Sequence, residues 1–311
     1  MIELQAKRRL WQSGFFILFL LAPVFDLFRL DLNLHHFFIL GQDWTLGIDD
    51  LLAHRISPHQ AGLNIFLRAF LPVLALLAAG IAISWKYGRL YCGWLCPHFS
   101  VVETLNQLLR QSIGKYSVWE KTQLPQQDKG AAPIVQHRAW LLLWLPLALA
   151  FSLVWATALL TYLLPPEEIY GNLWRGSLTR NQSLFIGIGS VVFFLEFTLA
   201  RHLFCRFGCA IGLFQSLVWM ANRGAMVVSF DRSRAAVCQD CTNACDNSCP
   251  MRLKPRTIKR HMFSCTQCGS CLSACDRARG QSLLAWRQGA AALDKSDRTR
   301  PPVRINKVRG D

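Results

Sequence analysis

Residues 238–276 read Cys238-Gln-Asp-Cys241-Thr-Asn-Ala-Cys245-Asp-Asn-Ser-Cys249-Pro250, then fourteen residues, then Cys265-Thr-Gln-Cys268-Gly-Ser-Cys271-Leu-Ser-Ala-Cys275-Asp276. Eight of the chain's twelve cysteines fall in these 38 residues, 238–275. The second run is spaced x2, x2, x3; the first is spaced x2, x3, x3, one residue longer. Three closely spaced cysteines on a tight turn can wrap three corners of one small object. A distant cysteine then closes the fourth corner. Small residues in the second run, Gly269, Ser270, Ser273 and Ala274, allow the backbone to approach that object, with their N–H groups aimed at the sulfurs.

The x2-x2-x3 register is the ligand run of paired [4Fe–4S] sites, in which the fourth cysteine of each run ligates the other cluster. The expected sets are therefore Cys238, Cys241, Cys245 and Cys275 for one cluster, and Cys265, Cys268, Cys271 and Cys249 for the other. Zinc knuckles and a disulfide scaffold compete for cysteine-dense stretches. The repeated register favours iron–sulfur over both. The extra residue bears on the first cluster alone, and Asp276 stands where the run ordinarily ends in proline.

The 311-residue chain as a whole has another character. It is 52% hydrophobic and 17% charged, which describes a membrane protein with a soluble appendage. The net charge of +15 would suit nucleic acid, but its distribution does not. Nineteen of the 34 Lys and Arg follow Ala200, whereas segments 35–62 and 165–182 hold only Arg55, Arg175 and Arg180. Segregation by loop is what the positive-inside rule produces. No aromatic-basic recognition motif accompanies the charge, so nucleic acid is excluded as a partner.

Four spans are expected. Phe15 to about Leu34 is an imperfect first one, interrupted by Pro23, Asp26 and Arg29, with a cytoplasmic N-terminus. Leu63–Trp85, Ala139–Leu164 and Ser183 to about Ala200 are of bilayer length. Between the first two lies an outer loop with His35, His36, His54 and His59, which suits solvated interface more than a quinone headgroup or a metal. Phe99–Ile113 has the periodicity of an amphipathic helix lying in the membrane interface. Residues 114–138 read as a cytoplasmic loop, and Ser282–Trp286 as a segment packed on the cysteine module.

The membrane part repeats. A shift of 113 residues lays Cys92 on Cys205 and Cys96 on Cys209, and each aromatic-Cys-x3-Cys follows a span and basic residues. The unit is thus a two-helix repeat with a cysteine pair at each cytoplasmic membrane edge. Four convergent thiolates suit a third metal centre, iron–sulfur or a soft ion such as Cu(I), or a redox-active dithiol. Packing as small apolar residues is the remaining option. Nearby Arg89, His202 and Arg206 favour a functional role, because positive charge lowers a thiol pKa.

Tyr91-Cys92-Gly93-Trp94-Leu95-Cys96-Pro97, with Cys205-x3-Cys209 and the two-run module behind it, resembles the membrane polyferredoxins of the NapH, NosR, MauN and CcoG (FixG/RdxA) type over roughly residues 60–286. Ala210 and Asp276 depart from prolines of that pattern. The resemblance implies a bacterial inner-membrane protein passing electrons between a quinol or cytoplasmic donor and a redox protein partner. It extends to quinol dehydrogenase subunits. It equally covers copper handling during assembly of a metalloenzyme, the alternative function, in which the C-x3-C pairs bind or reduce the metal.

The expected architecture is an α-helical membrane domain over 1–222, with about four transmembrane helices. A small α+β two-cluster ferredoxin-like cytoplasmic domain follows at 223–286, and a basic disordered tail at 287–311. Both termini are expected in the cytoplasm. The function expected is relay of single electrons by two [4Fe–4S] clusters, with no catalytic residue.

Overall fold

A computed structural model describes residues 2–120, 123–124, 136–239 and 241–288. The basic tail expected over 287–311 therefore lies outside the described residues from residue 289 onward, and the 114–138 loop is described only in part. The chain divides into two compact units. One comprises Met1–Phe15, Ala82–Leu147 and Glu196–Asp311; the other comprises Phe16–Ile81 and Ala148–Leu195. The boundary expected at 222/223 falls inside the first unit. The chain passes between the units four times, after residues 15, 81, 147 and 195, each time inside a helix.

Among the described residues, three helices are long and apolar enough to cross a bilayer: Pro58–Tyr87, Trp140–Thr161 and Arg180–Ala200. No residue of the most apolar stretch of Pro58–Tyr87 is buried in protein, which leaves that surface for lipid. The first span differs from expectation. The helix is Ile2–Leu21, and it stops before Pro23 instead of running to Leu34. Proline disfavours helix at the residue before it, and Asp26 then takes a positive φ of 49°. Glu3, Lys7, Arg8 and Arg9 make the first half of this helix polar.

The second unit carries a feature the sequence did not disclose. Strands β1 (Phe28–Asp31), β2 (His36–Ile39) and β3 (Gln42–Trp44) form an antiparallel meander that takes the end of the expected first span, in β1, and the start of the expected outer loop, in β2 and β3. Leu30 and Leu32 donate backbone bonds to the carbonyls of Tyr162 and Leu163 (3.0 and 3.1 Å), docking the sheet on the end of Trp140–Thr161. Arg29 is buried, pairs with Asp26 and Asp31 at 2.6 Å, and lies 4.3 Å over the Phe38 ring. His36 sits 3.4 Å from Asp43 on the neighbouring strand. Phe16, Phe19, Trp155 and Tyr162 form an aromatic ladder with ring centroids 5.0–6.0 Å apart.

The first unit holds all twelve cysteines. Pro97–Ile113 is the expected amphipathic helix, but its apolar face (Phe99, Val101, Val102, Leu105, Leu109) is buried in protein, not spread on lipid. Periodicity identifies an apolar face without saying what covers it. Strands β4 (Val227–Phe230) and β5 (Leu284–Arg287) pair antiparallel, from Val227↔Arg287 to Phe230↔Leu284. They close the cysteine module, and Leu283 and Leu284 are 2% exposed in its core. Lys259 caps the C-terminus of the Ala210–Ala221 helix, donating to Trp219 O (2.8 Å) and Asn222 O (2.5 Å), where a cation meets the negative end of the helix dipole.

Candidate metal centre

Left-handed residues shape both cysteine runs. Asn243 (φ 62°) precedes the short helix Ala244–Asn247, and Gly269 (φ 70°) precedes Ser270–Arg279. Asn and Gly are the residues that tolerate this region. From either cap the next cysteine is two residues on, Cys245 or Cys271, and the last is four further, Cys249 or Cys275. The two runs therefore share one register from the cap onward. The extra residue of the first run falls between Cys241 and its cap, where it lengthens the approach and leaves Cys245 and Cys249 in place. At Gly269 a Cβ would also lie 2.9 Å from Leu4 Cδ2 and 3.0 Å from the Trp286 ring.

Two cavities lie between these loops. The first is lined by Cys238, Cys241, Cys245 and Cys275, with Phe230, Asn243, Ala244, Arg256, Arg279 and Leu284. The second is lined by Cys249, Cys265, Cys268 and Cys271, with Val228, Met251, Leu253, Pro255 and Met262 among its walls. Each draws three thiols from one run and the fourth from the other. Backbone donors reach the closing sulfurs: Leu283 N–H to Cys275 Sγ and Leu253 N–H to Cys249 Sγ, both at 3.4 Å. These donors come from beyond the runs, where the sequence suggested residues 269–274.

The donor sets fit iron–sulfur clusters. Burial pushes the Cys249 thiol up to about 12 and raises Cys245, Cys265 and Cys271 well above the ordinary range. Such thiols stay neutral unless the group they bind brings positive charge of its own, and a coordinated thiol is deprotonated outright. Among the described residues, no three His, Cys, Asp or Glu side chains converge closely enough for a single metal ion. Each set of four thiols rings a space instead. Beside the first cavity, Arg279 Nε and Nη2 and Arg256 Nε are buried without a hydrogen-bond partner, and cluster sulfurs would accept from such donors. Arg256 is otherwise held by Asp246 Oδ2 (2.6 Å) and Asn243 Oδ1 (3.0 Å).

The second cysteines of both C-x3-C pairs, Cys96 and Cys209, occupy the N-cap positions of Pro97–Ile113 and Ala210–Ala221. Cys92 lies in the short helix Leu90–Trp94 and Cys205 in the π-turn Phe204–Gly208. Arg89 Nη2 donates to Cys205 O (2.7 Å) and lies 3.8 Å from Cys92 Sγ; that thiol donates to Gln215 Oε1 (3.2 Å). His98 Nδ1 is 3.5 Å from Cys205 Sγ. The expectation that nearby cations lower the thiol pKa values is reversed at Cys92, Cys96 and Cys205. Burial dominates: it raises Cys92 and Cys205 and pushes Cys96 up to about 12, against the pull of Arg89 on the first two. That weighs against the reading of these thiols as a redox-active dithiol.

The N-terminal helix supplies residues that the sequence gave no reason to single out. Gln5 Nε2 donates to Cys268 O (3.1 Å), and Arg8 Nε and Gln12 Nε2 donate to Gly93 O (2.7 and 3.3 Å). Arg8 is 2% exposed and pairs with Glu103. These links join positions 81 or more residues apart, and no local pattern announces them.

A family described as "4Fe-4S binding domain" matches residues 69–116, the stretch holding Cys92 and Cys96. The chain is 22% identical over 235 residues to the ferredoxin-type protein NapH of Escherichia coli K12, covering 71% of this chain and 72% of NapH. It is 31% identical over 163 residues to the methylamine utilization ferredoxin-type protein MauN of Paracoccus denitrificans, covering 52% and 48%. Against YccM of Escherichia coli K12 the identity is 24% over 204 residues, 65% of this chain and about half (53%) of YccM. No solved structure matches.

Proposed function

We propose that this chain, a ferredoxin-type 4Fe–4S protein of the membrane polyferredoxin family, relays single electrons along the cytoplasmic face of a bacterial inner membrane. The observation that carries the reading is the pair of cavities, each ringed by three thiols of one run and one of the other. Cys238, Cys241, Cys245 and Cys275 hold one [4Fe–4S] cluster, and Cys249, Cys265, Cys268 and Cys271 hold the other. A cubane bound there takes up and returns one electron at a time.

The chain's own residues do the rest. Val228, Met251, Leu253 and Met262 keep water from the second cluster. The N–H groups of Leu253 and Leu283 stabilise negative charge on the closing sulfurs. Exposed basic residues around the module, such as Arg252, Lys254 and Arg260, offer an acidic redox partner a complementary face. A quinol or a cytoplasmic reductant is the donor class.

Four membrane passes fit this reading. The chain leaves and re-enters the cysteine-bearing unit through four helices, the first being Ile2–Leu21. An even number of passes keeps both termini, residues 82–147 and every cysteine on the cytoplasmic side, where the Lys and Arg excess lies. The two C-x3-C units, each followed by a helix capped by its second cysteine, fit an internal two-helix repeat.

The test is a stoichiometric titration of the anaerobically purified full-length protein with a one-electron reductant, then with a quinol. The expected result is reversible uptake of one electron per four irons, followed by reoxidation by an added acceptor protein. Clusters that fail to change redox state with any donor would refute the relay.

A further inference from the structure

Four thiols stand outside the two cavities, and an unpaired charge stands among them. The two C-x3-C pairs meet at Arg89, whose Nη2 donates to Cys205 O (2.7 Å) and lies 3.8 Å from Cys92 Sγ, and the Cys92 thiol reaches Gln215 of the helix that Cys209 caps (3.2 Å). Arg89 is 1% exposed. Its Nη2 is used on Cys205 O and approaches Cys92 Sγ, while its Nε and Nη1 have no hydrogen-bond partner. A guanidinium does not shed its proton, so one held at this depth calls for an anion. The nearby carboxylates are engaged, Glu103 by Arg8 and Glu196 by His98 at 2.6 Å. The ring nitrogens of His202 are also buried without a partner, with the ring packed 4.9 Å from Phe99.

We propose that Cys92, Cys96, Cys205 and Cys209 hold a third [4Fe–4S] cluster, whose net negative charge is the missing partner of Arg89. The donor set is the one such clusters take, four cysteines. A single Cu(I) or zinc ion fits less well, because no three ligands among the described residues converge at single-ion range. Two disulfides would consume the negative charge and leave Arg89 facing nothing. The 4Fe–4S family match on residues 69–116 falls on the first of the two pairs.

The place of this centre is also marked. A Cβ on Gly93 would fall 2.1 Å from Thr266 O, and Trp94 Nε1 donates to Gln267 O (3.0 Å). The Cys92–Cys96 segment is therefore packed on the Cys265–Cys268 loop, next to the second cavity's ligands. The third centre thus extends the relay by one step toward the membrane, and the proposal rests on the iron–sulfur reading of the two cavities.

The experiment is an iron and acid-labile sulfide count on the full-length, anaerobically purified protein, joined to EPR of its reduced form. The wild type is expected to hold about twelve irons, at four per cubane. The C92A/C205A double variant is expected to hold about eight, with the EPR signals of the other two clusters kept. Arg89→Gln should shift the third signal to lower potential, and Arg89→Lys should restore most of that shift; a purely structural arginine would leave the potential where it was. Eight irons in wild type and variant alike, or copper or zinc on these thiols, would overturn the third centre alone. A wild type without iron would overturn the two C-terminal clusters and this centre together.

Discussion

The two four-thiol cavities share a ligand pattern and differ in their walls. Around Cys238, Cys241, Cys245 and Cys275 stand two arginines, Arg256 and Arg279, with buried nitrogens that lack partners. Around Cys249, Cys265, Cys268 and Cys271 the walls are mostly apolar, Val228, Met251, Leu253, Pro255 and Met262 with Thr266, and the cations that act on these thiols, Arg252 on Cys249 and Arg89 on Cys265, do not line the cavity. A cluster's potential follows its charge surroundings, hydrogen bonds and exposure. Adding an electron adds negative charge, which a guanidinium welcomes and an apolar wall does not. The arginine-lined site should therefore hold the more easily reduced cluster, and the apolar site the less easily reduced one. Packing of the Cys92–Cys96 segment on the Cys265–Cys268 loop puts the apolar site beside the membrane-edge thiols. Similar motifs thus acquire different duties from their neighbours.

Exchanging ligands would break the comparison most severely. Cys275→Ala should abolish the cluster of the first run, and Cys249→Ala that of the second, because each closes the cavity of the other run. Iron counts falling by about four per chain, with the EPR signature of the surviving site intact, would check this. The opposite pairing of signals would mean that the runs ligate independently.

Gly93→Ala comes next. The added Cβ meets a backbone carbonyl 2.1 Å away, which must move. Overpacking of this kind costs about 1–3 kcal/mol, and thermal unfolding of the holoprotein should fall accordingly. The damage should appear first at the apolar-walled cluster, whose loop contains Thr266. An unchanged midpoint would show that the loop yields freely.

Arg279→Gln sharpens the comparison directly. Removing a buried cation should lower the potential of the first cluster by about 60 mV, a tenfold change for a one-electron couple, and leave the second unmoved. Redox titration followed by EPR reads both. Equal shifts at the two sites would mean that the charge acts on the module as a whole. The smallest effect is expected from Trp286→Phe, which removes the indole bond to Gln267 Oε1 (3.1 Å) and keeps most of the packing. About 1 kcal/mol of stability is at stake, with both potentials retained.

Much of the site could be read from spacing, because each run is a local object. Three cysteines within seven or eight residues dictate a turn whatever surrounds it, and the crossing fourth cysteine was expected from the known ligand run of paired [4Fe–4S] sites. The apolar helices were legible for a similar reason: bilayer length leaves its mark on composition. What escaped was long-range or three-dimensional. Nothing in its local sequence marks Arg8, yet it is a buried strut bonded to Gly93 and Glu103. The meander of β1–β3 is made of short strands among histidines and aspartates, with no sustained alternation. The Pro97–Ile113 helix has one apolar face that lipid or protein could cover equally well. The direction of the thiol pKa shifts depended on burial, which outweighs the visible positive charge.

Potentiometric EPR titration of the intact, oxygen-free protein tests the central claim most directly. Of the two signals that belong to the C-terminal cysteine runs, the account predicts that the first to be reduced is the one lost in Cys275→Ala and moved by Arg279→Gln. A colourless protein carrying zinc, or a first-reduced signal that vanishes with Cys249→Ala instead, would contradict it.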